Sequence, residues 1–85
     1  METKINRGYI ITDTVHAGDA KFVLGVNMDA PNKFVTWQCH GDNDYNWGHY
    51  HDDLLKAQKD LCKRALQEIR HLESVRKPQS KDRER

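Results

Sequence analysis

The feature that most constrains this chain is its C-terminal third, where residues 49–77 contain neither glycine nor proline. Leu54, Leu55, Leu61, Cys62, Ala65, Leu66, Ile69 and Leu72 recur there at helical spacing, while Lys56, Lys59, Lys63, Arg64, Arg70 and His71 fall mostly on the other side. That period is the mark of an amphipathic helix. Asp52 and Asp53 just ahead supply a capping carboxylate and a second acid at the positive end of the helix dipole. Pro78 ends the run. The spacing predicts a helix over about 52–76, roughly 39 Å long at 1.5 Å per residue if it reaches Lys77.

Such a stripe needs a facing layer, and the first half of the chain reads as strands. Residues 9–15 (YIITDTV) are β-branched and aromatic, with Tyr9, Ile11 and Val15 expected on one face. Ala17-Gly18-Asp19 carries turn chemistry. Over 21–28, Phe22, Leu24, Val26 and Met28 alternate with Lys21, Val23, Gly25 and Asn27, the pattern of a half-buried strand hairpinned to the first. A turn at Asp29-Ala30-Pro31-Asn32 precedes a third strand over 34–39, and a tight loop at 41–44 precedes a short fourth over 45–50.

The fold class is therefore α+β: a three- to four-stranded antiparallel meander with one long C-terminal amphipathic helix packed on one sheet face. Residues 1–77 form one domain and the polar segment 78–85 is expected to be a disordered tail. A six-residue strand spans only about 20 Å, so the helix should outrun the sheet near Ile69, Leu72 and Val75. Phe22, Leu24, Val26, Val35, Trp37, Leu54, Leu61, Ala65 and Leu66 are the expected core.

The last hairpin has two possible registers. In one, Trp37 faces Gly48, Val35 faces Tyr50 and Cys39 faces Asn46, leaving Tyr45, Trp47, His49 and His51 on the opposite face. A slip of one residue instead puts Trp47 beside Trp37 inside.

Composition narrows function mainly by exclusion. With 36% hydrophobic and 32% charged residues in an 85-residue chain, the core must be thin. Net charge is +1 but unevenly spread: residues 1–55 carry four bases against eight acids, and residues 56–85 carry ten bases against five acids. The helix is basic and the sheet mildly acidic. No stretch approaches the roughly 20 apolar residues of a membrane span, and METKINRGYI does not resemble a signal peptide. A cytoplasmic protein is expected, with Cys39 and Cys62 reduced and packed as small hydrophobes.

Candidate chemistries can be set against plainer roles. Zinc would need four ligands, and His49, His51, Cys39, His40 and Cys62 lack the paired short spacings of such sites. A Cys–His–Asp triad needs an exposed nucleophile, whereas both cysteines are expected in the core. Asp42 and Asp44 serve as turn formers, and Asp52 and Asp53 as helix starters. No enzyme activity, metal or cofactor is expected.

The stretches FVTWQC, GDNDYNWGHY and DDLLKAQKDLCKR, between Phe34 and Arg64, resemble small proteins carried on integrative elements and phage-related regions of Gram-positive bacteria. The resemblance implies an accessory protein of mobile DNA and transfers no functional residue. The sheet-then-helix order also resembles the positive-cofactor type of single-strand DNA-binding fold, although the strands lack that fold's basic residues. The expected function is a non-enzymatic protein-binding module, an inhibitor of a host factor or a homodimer. Its contacts are expected at Tyr45, Trp47, His49 and Tyr50, with Arg70, Arg76 and Lys77 on the helix. The alternative is a nucleic-acid binder using the same aromatics with Lys56, Lys59, Lys63 and Arg64.

Overall fold

The computed structural model describes residues 4–41 and 44–75. Five strands precede one helix: β1 (Ile5–Asn6), β2 (Tyr9–Ala17), β3 (Ala20–Val26), β4 (Phe34–His40), β5 (Asp44–His51) and α1 (Leu54–Val75). The strands form one antiparallel sheet in the order β1-β2-β3-β4-β5, a meander with α1 lying across β2 to β5. The α+β class is as expected, with five strands rather than three to four. The extra strand is β1. It folds back through Arg7 and Gly8, whose φ angles of 52° and 83° are those of a primed two-residue hairpin turn.

Apolar residues cover both faces of the sheet, which gives two cores instead of one. On the helix side, Ala17, Ala20, Phe22 and Leu24 pack with Ala57, Leu61 and Ala65, flanked by Val15 and Phe34. On the far side, Tyr9, Val23, Val35, Trp37 and Cys39 form a second cluster with Ile11, Ala30 and Tyr45. The ring of Trp37 meets Tyr9 edge-on at 5.8 Å and lies 5.5 Å from Tyr45 and 6.3 Å from Tyr50. β3 is thus buried on both faces, not half-buried, and Met28 lies exposed beyond its end.

Two bulges explain why simple alternation misplaces residues. In β2 the pairing slips between Ile11 and Asp13. Tyr9 and Ile11 therefore join the far face while Val15 and Ala17 join the helix face, although all are separated by even steps. An extra residue in one strand reverses the face of everything beyond it.

The helix begins where its caps dictate. Asp53 Oδ2 accepts from the Lys56 N–H at 3.1 Å, and the Asp53 carbonyl accepts from Ala57 N–H. At the other end Leu72 reaches the β2–β3 turn, where a Cβ on Gly18 would sit 2.4 Å from Leu72 Cδ1. Packing thus extends to Leu72, leaving only Glu73 to Val75 as overhang among the described residues. The expected last helical residue, Arg76, and the tail 78–85 lie outside the described residues.

The buried stripe of α1 differs from the expected one. It contains Ala57, Leu61, Arg64 and Ala65. Leu54 and Leu66, expected in the core, are exposed, as is Cys62. Val26 is half-buried. The alanines explain the rotation: short side chains let the helix axis approach a sheet whose own Phe22 and Leu24 fill the gap.

Candidate binding surfaces

The seam between β5 and α1 is organised by the second bulge. Thr36 pairs with His49 but Gln38 pairs with Asn46, so Trp37 alone opposes both Trp47 and Gly48. Each register considered from sequence holds on one side of this point: Val35 faces Tyr50, as in the first, but Cys39 faces Tyr45, as in the slipped one. Gly48 is needed here, because a Cβ would lie 2.7 Å from Trp37 Nε1. Trp47 takes the left-handed conformation (φ 53°), a region costly for a bulky side chain.

The bulge divides the hairpin residues between the faces. Tyr45 and Tyr50 lie against Trp37 on the far side. His49, His51 and Trp47 turn toward the helix side. Trp47 stays 65% exposed there, not stacked beside Trp37.

Beneath them lies a polar network linking sheet to helix. Thr36, fully buried, donates through Oγ1 to Asp60 Oδ2 at 2.5 Å and accepts from Arg64 Nη1 at 3.1 Å. Arg64 Nη1 also donates to the Thr36 carbonyl at 3.0 Å. His49 Nδ1 donates to the same Asp60 oxygen at 2.9 Å, and His51 Nε2, buried, lies 3.5 Å from it. Burial by itself would raise the Asp60 carboxyl. Hydrogen bonds from Thr36 and His49, the charge of His49 and the nearby His51 outweigh it and hold the group below the usual carboxylate range. Burial lowers the Arg64 guanidinium, with the Asp60 charge acting in opposition.

Two grooves flank this network. One, of 470 Å³, is lined by Phe22, Gln38, Trp47, His49, Arg64, Gln67 and Glu68. Arg64 is only 9% exposed, and its Cζ lies 5.8 Å from the Phe22 ring centroid. Its only hydrogen-bond partner among the described residues is Thr36, and no described carboxylate forms an ion pair with it. The other groove, of 280 Å³, is lined by His51, Lys56, Lys59, Asp60 and Lys63.

A third surface is the outer side of α1. At 100° per residue, Leu55, Cys62, Leu66 and Ile69 fall within an arc of about 60° that adjoins the buried stripe at Ile69, which lines a groove with Gly18 and Leu72. Leu55 is 73% exposed, Leu66 45% and Ile69 41%. Lys59, Arg70, Lys63 and Lys56 occupy the adjoining arc, and Glu73 closes the apolar row at its C-terminal end.

Of the residues singled out from sequence, the structure brings Trp47, His49 and Arg64 to one groove and Lys56, Lys59 and Lys63 to its neighbour. Tyr45 and Tyr50 sit across the sheet, Arg70 lies on the outer helix, and Arg76 and Lys77 lie outside the described residues. Thr36, Asp60, Gln38, Gln67 and Glu68 were not anticipated. Asp60 and Arg64 have the four-residue spacing of an ordinary surface ion pair, and both are drawn instead to Thr36. Among the described residues no group of three or more His, Cys, Asp or Glu is placed to hold a metal ion, and no helix is long and apolar enough to cross a membrane. Comparison with protein families, with characterised proteins and with solved structures gives no match to this chain.

Proposed function

We propose that this chain is a non-enzymatic binding module that acts through protein contacts, as an accessory or regulatory protein of a mobile element. The observation that carries the reading is the outer row of α1: Leu55, Cys62, Leu66 and Ile69 turned to solvent on a helix that already has a buried stripe. Contiguous apolar surface of this kind marks contact sites on otherwise polar proteins. The mobile-element part of the reading rests on the resemblance carried between Phe34 and Arg64.

The charges beside the row select the partner. Lys56, Lys59, Lys63 and Arg70 run along one flank. An antiparallel second copy would bring this flank against itself, lysine facing lysine, whereas an acidic amphipathic segment would pair with it. The partner is therefore an acidic protein that presents its own apolar row.

The test compares partner capture from host extract by the wild-type chain and by Leu66→Glu, alongside the solution mass of the purified protein. A captured acidic protein whose binding survives raised salt and is lost with Leu66→Glu supports the reading. Equal capture by both chains refutes it. A concentration-dependent dimer broken by Leu66→Glu replaces the acidic partner with a second copy.

A further inference from the structure

We propose that the groove between β5 and α1 binds a nucleotide, with the phosphate on Arg64 and His49 and the base on Trp47. This surface is separate from the outer row of α1, and three independent observations support it.

The first is a buried guanidinium with no direct ion pair among the described residues, Asp60 reaching it only through the Thr36 hydroxyl. Arg64 keeps a guanidinium at the base of the groove with no carboxylate paired to it among the described residues. Its Nη1 is committed to Thr36, which fixes the plane of the fork, while Nε and Nη2 have no hydrogen-bond partner among the described residues. A planar fork held in place is suited to a phosphate or carboxylate.

The second is an oriented imidazole. His49 spends Nδ1 on Asp60, so its Nε2 is the free edge on the groove it lines. With Nδ1 held by Asp60, the ring is fixed in orientation and its Nε2 edge is presented to an anion in the groove. Asp60 lines the neighbouring groove and not this one.

The third is strain at Trp47. A large ring is held at φ 53° and left 65% exposed on the groove, where glycine would be the unstrained residue. Burial does not account for the ring, and a stacking surface for a planar ligand does. The remaining lining fits the same ligand. Glu68, one turn beyond Arg64, accepts from an amino group on the ring, Gln38 and Gln67 offer amides to its edge, and the 470 Å³ volume is that of a small-molecule site.

A free mononucleotide and one nucleotide of a single strand present the same chemistry, and the test separates them. AMP, adenosine, inorganic phosphate and a short oligoadenylate are titrated at low salt, reading heat and the fluorescence of exposed Trp47. AMP is expected to bind and quench Trp47, with adenosine and phosphate each at least 10-fold weaker. Oligoadenylate no tighter than AMP identifies a free nucleotide as ligand. Much tighter binding that falls steeply with salt identifies a single strand, the basic groove at Lys56, Lys59 and Lys63 carrying the neighbouring phosphates.

The decisive variant is Trp47→Gly, which removes the ring and relieves the backbone strain. It should melt higher than wild type yet bind AMP about 10-fold more weakly, the loss expected of one base–aromatic stack. His49→Gln should weaken AMP relative to adenosine. Leu66→Glu should leave AMP binding unchanged, so this site and the outer row can fail separately. Absence of AMP and oligoadenylate binding at millimolar concentration overturns the proposal, as does AMP affinity unchanged in Trp47→Gly.

Discussion

The two faces of the sheet are built on different principles. The far face is a cluster of rings: Tyr9, Trp37, Tyr45 and Tyr50 cover Val23, Val35 and Cys39 without the help of any helix. Among the described residues, the only hydrogen bond from these rings runs from Tyr9 Oη to the Asn32 carbonyl at 2.6 Å. The helix face instead combines alanines and the large side chains of Phe22, Leu24 and Leu61 with a polar network at Thr36. A ring cluster gains stability from area and tolerates being one layer thick. A buried network is costly unless every member is satisfied, and so it locks one arrangement of helix on sheet. The far face holds the fold together, and the helix face sets where Trp47, His49 and Arg64 stand.

The contrast can be broken most severely at Trp37. Trp37→Ala should cost about 3–5 kcal/mol, close to the whole stability of a domain this small, and chemical denaturation should find it largely unfolded. On the helix face Leu61→Ala should cost about 2–4 kcal/mol by the same measurement, less than Trp37 because a smaller side chain is lost.

Next comes the network. Thr36→Val removes the hydroxyl that joins Asp60 to Arg64 while keeping the shape of the side chain. The expected loss is about 1–3 kcal/mol, because half-buried Asp60 and buried Arg64 each lose a hydrogen bond. Amide exchange should quicken in α1 more than in β2 or β3. Equal quickening everywhere would mean that the network does not specifically tether the helix.

The bulge gives a smaller pair of opposite sign. Gly48→Ala should destabilise by about 1–2 kcal/mol, since its Cβ meets the Trp37 indole nitrogen. Trp47→Gly should stabilise by about 1 kcal/mol through relief of its positive φ. If both are destabilising, the Trp47 ring is part of the packing after all.

The smallest effect is acid sensitivity. The native Asp60 carboxyl lies below its ordinary value of 3.8, so its contribution is fully present above that pH. It is lost as pH falls toward and through the lowered native value. Asp60→Asn should therefore flatten the acid limb of a stability–pH profile below about pH 4, with Trp37 fluorescence as the readout.

Much of this architecture is legible in the residues. The helix follows from its period and from Asp53. The hairpin of β2 and β3 follows from Gly18-Asp19 between β-branched runs, and the meander follows from the short connections. The two bulges are not legible: Thr12 at one carries no glycine signal, and at the other the left-handed residue is Trp47 and not the adjacent Gly48. Period-two reading works only up to a bulge, so it places Val15 with Tyr9 and Ile11 on one face, and each hairpin register fits only one side of Trp37.

The helix shows the division most clearly. Its sequence determines an amphipathic rod with two apolar arcs, one through Ala57, Leu61, Ala65 and Leu72, the other through Leu55, Cys62, Leu66 and Ile69. By hydrophobicity the second arc is the better candidate for burial. The tertiary structure chose the first, because Phe22 and Leu24 already fill the space above the sheet and the short Ala57 and Ala65 let the helix approach. That choice also carried Arg64 and Asp60 inward to Thr36 and left the leucines facing solvent. Periodicity is a property of one segment, whereas which arc is buried depends on the volume offered by another.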